Sequence, residues 1–558
     1  MIEIMKVVDK ENIFRIICFG AFFITIVMTP WMNSDSLIIP KLISLFCLAL
    51  FLIPKLIALK SQLLSNQVMK ALSVIILLIV IQMVLVIYIS AAPLEQQIFG
   101  RTGRGLGFIT EISLLVVLIS STIFIHAQKI NILFTFLIFS STITTVYSVL
   151  QRFDLDIFDW TTRTNGIIGT LGNPNFQASF AAMTFFPSIV YVWNYTRGKI
   201  YASILVVPIL VLIYISQSTQ GYVTLLTSIF IYFLIFYWYR KKLIFSTISI
   251  GFIISIYLAV SGMLNNGPLA KYLYKISVQS REEMYRTSFT VANENLFFGV
   301  GLDSLGDHYL LYRDEKVANG IAEFTDNSHN LFLNYAATGG YPLAFLHLLL
   351  TLLVLFSFIK LQSSIGRFDK KIAALFCAWV CYVQQSLISP ANISMLIWNA
   401  IISGTLVGLA AKGYDEVSDL KTSRQKLSLA TPFSSFMVIL GIVFCYPYFN
   451  VDRQQLTSLR TGNALLAVQS AKSYPESSIR YTRIGQELIK SNLPGPALEL
   501  ARAAVEFNPD AISAWALILV NNTATLEERI RAKNEILRLD PFNKEVKSLV
   551  LDSTLPTN

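Results

Sequence analysis

The sequence predicts an all-α protein: a polytopic integral membrane helical bundle of about 13 spans, followed by a small C-terminal helical-repeat domain. Apolar residue types make up 54% of the chain and charged types only 14%, which disfavours the soluble globular classes. Long apolar runs fill the first 450 residues, and dense charges of both signs begin only after Asn450. The composition and its abrupt change along the chain therefore predict both the fold class and the two domains.

The membrane domain is predicted over residues 1–450. A helix needs about 20 predominantly apolar residues to cross a bilayer. Runs that meet this requirement lie near residues 13–30, 37–57, 71–92, 108–126, 131–151, 175–195, 200–216, 221–239, 243–261, 342–361, 371–389, 393–411 and 432–450.

The distribution of basic residues predicts how these spans are oriented. Lys and Arg in short loops are retained on the cytoplasmic side. One set of loops is rich in them, whereas the alternate loops at 31–36, 217–220 and 384–394 contain none. The N-terminus is therefore expected inside, and the loop at 262–341 and the tail outside. The formal net charge of +10 is then mainly an orientation signal, and no nucleic-acid partner is needed to explain it.

Residues 451–558 are predicted to form an extracytoplasmic helical domain. Three residue pairs that end in proline recur there at spacings of 34 and 32: Tyr474-Pro475, Asn508-Pro509 and Asp540-Pro541. This spacing resembles that of tetratricopeptide-type repeats, which are helix-turn-helix units of about 34 residues. A short array of this kind binds a protein partner or braces its own membrane domain, and a small helical cap without a partner is an equal alternative.

The polar residues suited to chemistry are concentrated in the loops assigned to the outer side. The loop at 262–341 is far longer than a connection requires, and long ordered loops are disproportionately functional. Shorter external segments at 99–105, 163–176 and 216–221 add further polar groups. The residues of interest are Arg101, Arg104, Arg163, Arg281, Arg286, Asp303, Asp307, His308, Asp326, His329 and Asn330.

Four short motifs occur in a fixed order: Gly172-Asn173-Pro174-Asn175, Glu294-Asn295-Leu296-Phe297-Phe298-Gly299-Val300-Gly301, Asp326-Asn327-Ser328-His329-Asn330 and Gly339-Gly340. In these motifs the chain resembles the superfamily of O-antigen ligases, Wzy-type polymerases and bacterial O-oligosaccharyltransferases. The resemblance covers about residues 95–411. It departs from the family at Thr219-Gln220-Gly221, where the family often has Ser-Arg-Gly.

The resemblance implies transfer of a glycan from an undecaprenyl-diphosphate carrier to an acceptor hydroxyl on the outer face of the bacterial cytoplasmic (inner) membrane. The implied partners are the lipid-linked glycan donor, a glycan, lipid or protein acceptor, and membrane lipids. No cofactor and no metal are expected. Whether the chain is a ligase, a polymerase or a protein O-oligosaccharyltransferase stays open, because these activities share the donor and differ in the acceptor.

Arginine suits a departing lipid diphosphate, because its planar guanidinium binds phosphate oxygens in a fixed fork. Arg163, Arg281 and Arg286 are the candidates to hold the diphosphate. Arg101 and Arg104 are further candidates for binding the substrate. The alternative for Arg101 and Arg104 is contact with anionic lipid headgroups.

His329 is the candidate catalytic base. A neutral histidine accepts a proton near physiological pH, as the attack of an acceptor hydroxyl requires. Asp326 is expected to orient the imidazole ring, and Asn330 is grouped with the substrate-binding residues. The alternative role for His329 is that of a cap on the helix that follows it.

A transporter is the main rival function, and a membrane scaffold without activity is a third. Transporters place ionisable groups near the bilayer midplane. The predicted spans hold almost none, since Glu111 and Lys41 lie toward span ends and His347 is expected to be packed. The external position of the polar residues favours a surface enzyme, while Gln220 in place of the family arginine keeps the scaffold alternative open.

Overall fold

The computed structural model describes residues 10–158, 160, 167–193, 198–318, 324–413 and 420–551. Arg163 lies outside the described residues. Within them the chain is helical and contains no strand. The first eighteen helices are α1 Lys10–Ile26, α2 Ile38–Ala58, α3 Gln67–Ile89, α4 Leu94–Phe99, α5 Phe108–Phe124, α6 Ile130–Arg152, α7 Pro174–Val192, α8 Gly198–Ile215, α9 Thr219–Trp238, α10 Lys242–Met263, α11 Ala270–Leu273, α12 Ile276–Glu294, α13 Leu305–Tyr312, α14 Glu315–Ala318, α15 Leu331–Ile365, α16 Lys370–Ser386, α17 Ile393–Lys412 and α18 Leu420–Thr461. The C-terminal helices are α19 Ala464–Ala471, α20 Ser478–Lys490, α21 Pro494–Phe507, α22 Ile512–Val520, α23 Leu526–Leu539 and α24 Lys544–Ser548.

The predicted fold class, an all-α polytopic membrane protein, is confirmed. In the described part of the chain, 8 helical segments are long and apolar enough to cross a membrane, and three shorter helices are also apolar. The long ones lie in α2, α3, α6, α9, α10, α15, α17 and α18, and the shorter ones in α1, α5 and α8. Helices α7 and α16, which cover two further predicted runs, are not among them. The number of about 13 crossings therefore stays a prediction.

The centre of the bundle is the contact between α5 and α17, and small residues permit it. A Cβ atom on Gly404 would lie 2.3 Å from the carbonyl oxygen of Leu118, and one on Gly408 would lie 2.4 Å from that of Thr122. Only glycine lets the two helix backbones approach so closely, as is common between helices in membranes. This contact fixes α5, which begins directly after the loop that carries Arg101 and Arg104.

The predicted external loop at 262–341 is largely helical. Helices α11 to α14 occupy much of it, and α15 begins at Leu331, well before the predicted span at 342–361. Gly340 has φ 77° and ψ 166° and interrupts α15 with a kink. The first turns of α15 therefore form a separate outer segment, and His329 lies just ahead of it.

Two of the glycine motifs contact each other at this kink. The backbone N–H groups of Val300 and Gly301 donate to the carbonyl oxygens of Ala337 and Thr338, at 3.0 and 3.1 Å. A Cβ atom on Gly299 would lie 2.4 Å from the carbonyl carbon of Thr338. Glycine is required because two stretches of backbone meet without room for a side chain.

The C-terminal helices begin after a helix that crosses the predicted domain boundary. Helix α18 continues past residue 450 to Thr461. Beyond it the helices pack each against the next, and the face formed by Ala497, Ala501 and Ala504 is completely buried. This packing is what consecutive helical hairpins require. The tetratricopeptide-like assignment stays a prediction.

The C-terminal helices lie against one end of the bundle, which we call the loop face. It is formed by residues 27–37, 90–107, 264–318, 324–330 and 387–392. Arg313 of the loop face donates to the Asp540 carboxylate, with Nη2 to oxygen distances of 2.9 and 3.1 Å. Asn508 donates to Asp307 at 3.1 Å. These contacts hold the C-terminal helices over the predicted site residues.

Candidate functional site

His329 lies in the loop face, two residues before α15 begins, in a left-handed backbone conformation with φ 53°. Its backbone N–H donates to Asn327 Oδ1 at 3.0 Å, which fixes this turn. The following residue, Asn330, accepts from the Leu333 N–H at 3.1 Å and caps α15. The helix cap that the sequence allowed for His329 is therefore supplied by Asn330, and the imidazole is left for another role.

The imidazole of His329 is half-buried, and its Nδ1 atom is buried without a hydrogen-bond partner among the described residues. Burial, helped by the positive charges of Arg104 and Arg281, lowers the pKa of His329 to about 4. The ring is therefore neutral at physiological pH. A buried polar atom without a partner costs free energy, so such atoms are uncommon and often mark functional sites.

Asp326 is paired with Arg104. The guanidinium donates to both carboxylate oxygens: Nη2 lies 2.7 Å from Oδ1, and Nε lies 3.1 Å from Oδ1 and 3.0 Å from Oδ2. Although burial opposes it, the hydrogen bonds and charge of Arg104 hold the pKa of Asp326 below its ordinary value. The structure thus gives Asp326 a different partner from the imidazole that the sequence predicts.

Arg101 and its loop are built around two further carboxylates. Its Nη1 atom lies 2.6 Å from Asp307 Oδ1. The backbone N–H groups of Arg101 and Leu106 both donate to Asp303 Oδ2, at 2.7 and 3.1 Å. Burial raises the pKa of Asp303 to about 6. These contacts hold the loop that presents Arg104 to Asp326.

Arg281 and Gln220 meet at the loop between α16 and α17. Arg281 Nε donates to the carbonyl oxygen of Ile388 at 3.0 Å, and Gln220 Nε2 contacts the same oxygen at 3.5 Å. Tyr285 donates to the neighbouring carbonyl of Leu387 at 2.8 Å. Gln220, at the position where the family often has arginine, therefore shares the Ile388 carbonyl with Arg281. The sequence did not predict Tyr285 or this loop as part of the site, because backbone carbonyl groups leave no motif in a sequence.

Arg286 faces away from this group of residues. It lies five positions after Arg281 on α12, so the two side chains leave the helix in different directions. Its guanidinium lies 3.1 Å from Glu282 and 3.8 Å from Asp314, and its side chain is 48% exposed. The structure brings Arg104, Arg281, Asp326 and His329 together, but not Arg286.

A comparison with models of protein families matches residues 182–348 to the O-antigen ligase family. This segment of the chain resembles an O-antigen ligase domain. The O-antigen ligase match includes Arg281, Asp326 and His329 and leaves out Arg101 and Arg104. The match supports a membrane protein with a function of the glycan ligase or polymerase type. It also supports interaction with lipid-linked glycans and membrane lipids. No curated protein sequence matches the chain.

A polar cluster lies between the membrane helices, and two of its members, Tyr335 and His347, fall within the matched segment. Tyr335 donates to Glu111 Oε1 at 3.0 Å and stacks on His347 with ring centroids 3.8 Å apart. A cavity of about 80 Å³ adjoins these side chains and that of Tyr382. The sequence places Glu111 toward a span end and His347 packed within a span, and it does not pair them. In the structure His347 Nε2 lies 3.9 Å from Glu111 Oε2.

The described residues around His329 offer a neutral base and fixed cations. His329 can accept a proton from a hydroxyl, and Arg104 and Arg281 supply positive charge beside it. Arginine charge at fixed positions stabilises an anion that develops in the transition state. This combination suits a reaction in which a hydroxyl attacks and an anionic group departs.

Proposed function

We propose that the chain transfers a glycan from an undecaprenyl-diphosphate carrier to an acceptor hydroxyl at the loop face. We place this face on the outer side of the bacterial cytoplasmic membrane, with the N-terminus inside. The observation that carries the proposal is the neutral His329, whose buried ring nitrogen has no partner among the described residues and which is close to Arg104 and Arg281. It lies within the segment that matches the O-antigen ligase family.

In the proposed step, the acceptor oxygen attacks the anomeric carbon of the donor sugar. The bond between that carbon and the diphosphate oxygen breaks, and the diphosphate leaves on its lipid with the electron pair. The hydroxyl proton passes to His329. A bound diphosphate favours the protonated imidazole, so the pKa of His329 rises when the donor is present and the ring becomes a better base.

Arg281 and Arg104 have distinct parts in this proposal. Arg281 is held by the Ile388 carbonyl, and its charge faces the departing diphosphate. Arg104 is fixed by Asp326, so Asp326 acts as a positioning residue for a cation rather than for the imidazole. Asn330 positions His329 by capping the helix that follows it.

The test is restoration of surface-glycan assembly in a deletion strain by full-length variants at matched membrane abundance. We expect His329→Ala and Arg281→Ala to leave lipid-linked glycan accumulated. His126→Ala and Arg367→Ala are the matched controls, because they remove the same side chains from loops outside the site, and they should restore assembly. The proposal fails if His329→Ala restores assembly as well as His126→Ala does.

A further inference from the structure

A cleft of about 660 Å³ lies between the loop face and the C-terminal helices. The loop face contributes Arg101, Asp307 and Asp326, and helices α20 and α22 contribute Gln486 and Ser513. The cleft persists because contacts at its edges hold the two walls at a fixed separation. Arg313 with Asp540 is one of these contacts.

A second edge contact joins the Thr102 and Ser477 hydroxyls, whose oxygens lie 2.9 Å apart. Arg483 reaches across to the Ser34 hydroxyl at 3.2 Å. Both bonds connect C-terminal residues to loop-face residues more than 370 positions away. The space between them is therefore framed by polar contacts on several sides.

The cleft adjoins the candidate site. Asp326 lines the cleft and at the same time holds Arg104, whose charge acts on His329. A molecule in the cleft is therefore next to the ion pair between Arg104 and Asp326, which lies beside the imidazole. Donor and acceptor have to approach one base from different directions, and the cleft supplies one such approach from the side away from the membrane helices.

The lining of the cleft matches a carbohydrate better than a protein surface. Carboxylates, guanidinium groups, an amide and hydroxyls line it together with apolar side chains. The polar groups supply both donors and acceptors to neighbouring hydroxyls, and the apolar ones can contact the faces of sugar rings. Phe324 is 47% exposed there and offers an apolar ring face. A volume of about 300 to 1,000 Å³ is typical of sites for small ligands, whereas protein partners need a broad surface.

We infer that this cleft binds the carbohydrate part of the acceptor and that the C-terminal helices thereby determine which acceptor is used. The inference rests on the proposed function, because it assigns the acceptor side of the same site. It gives the C-terminal helices a direct part in acceptor recognition, through Gln486 and Ser513, in addition to any partner that they bind elsewhere.

A photo-crosslinking residue placed at Gln486 in the full chain, in living cells, tests the inference without depending on turnover. Gln469 is the matched control, since it is also an exposed glutamine of the C-terminal helices but does not line the cleft. We expect a carbohydrate adduct at position 486 and none at 469. A protein adduct at 486, or no adduct there, would overturn the inference.

The second measurement is transfer by the purified full chain, with the lipid-linked glycan and the acceptor glycan extracted from the source strain. Gln486→Trp fills the cleft, so we expect KM for the acceptor to rise by about tenfold or more with little change in kcat. Gln469→Trp should change neither. An unchanged acceptor KM in Gln486→Trp, with active wild type, overturns the inference and leaves the proposed function intact. Carbohydrate capture at position 486 by a protein without transfer activity supports the cleft and contradicts the proposed function.

Discussion

Arg104 and Asp326 lie 222 positions apart in the chain and form a bidentate ion pair at the loop face. The pair joins the loop before α5 to the segment that leads into His329. Its guanidinium also acts on His329 through its charge. One arginine therefore fixes the geometry of this segment and adds to the effect of burial, which is the main reason that the candidate base is neutral.

Replacing Arg104 should change the pH dependence of transfer. The pKa of His329 is lowered to about 4, first by burial and then by Arg104 and Arg281. Because the base works in its neutral form, kcat/KM falls as the pH drops through this pKa. Arg104→Gln removes one cause of the lowering and moves this acid limb to higher pH. Arg104→Lys keeps the positive charge. Whether or not its kcat/KM falls at every pH, the acid limb should stay at the same pH as in the wild type. Coincident acid limbs in both variants would contradict the assignment of His329 as the base.

Neutralising Asp540 should release the C-terminal helices from the loop face. Arg313 and Asp540 have side chains only 11% and 4% exposed, and breaking a buried pair from one side costs about 3 to 5 kcal/mol. Asp540→Asn removes the carboxylate charge from this buried pair with Arg313. The yield of a disulfide between Thr102→Cys and Ser477→Cys measures the docking and should fall strongly. Glu499→Gln makes the same chemical change in the exposed pair with Lys472. The control should leave the yield unchanged, because exposed pairs contribute about 0 to 1 kcal/mol.

Gly340→Ala should destabilise the protein far more than Gly366→Ala. Both glycines have positive φ, 77° and 67°, which alone costs an alanine about 1 to 2 kcal/mol. At Gly340 the new Cβ atom would also lie 2.3 Å from the Phe297 backbone, whereas at Gly366 no atom of the described residues beyond its chain neighbours lies within 4 Å. The measurement is thermal unfolding of the purified variants in detergent. Equal losses in Tm would mean that the two backbone stretches do not approach as the structure has them.

Asp303→Asn should remove a pH dependence of stability. The pKa of Asp303 rises on folding from 3.8 to about 6, because the carboxyl group is buried. Since the folded state binds this proton more tightly, the associated stability is present below 3.8 and is lost as the pH rises through about 6. An asparagine oxygen can still accept from Arg101 and Leu106, because both N–H groups donate to one oxygen, Oδ2.

The measurement for Asp303 is the difference in unfolding midpoint between Asp303→Asn and wild type across the pH range. This difference should shift in favour of the asparagine variant as the pH rises from 3.8 to about 6, and it should be constant above that range. Asp303→Ala loses both hydrogen bonds and should be less stable at every pH. A flat difference for Asp303→Asn would show that the carboxyl group titrates alike in the folded and unfolded chain.

The fold class was predictable because it depends on composition alone. Apolar runs long enough to cross a bilayer must form helices, since backbone groups have no other hydrogen-bond partners there. The four motifs were also recognisable in the sequence as an ordered set. In the structure, Gly299 and Gly340 are both required where two stretches of backbone meet. The helical content of the external loop was not predicted, because polar helices such as α12 lack the apolar run that marks a span.

The sequence by itself determined the membrane class, the helical tail and the residue types of the site, because hydropathy and side-chain chemistry are properties of individual residues. Tertiary structure alone decided that Asp326 binds Arg104, that Gln220 shares a carbonyl with Arg281 and that Arg286 faces elsewhere. It also decided that the C-terminal helices form one wall of a cleft beside the site. These are relationships between residues far apart in the chain, and the packing of the helices that carry them sets which side chains come within bonding distance.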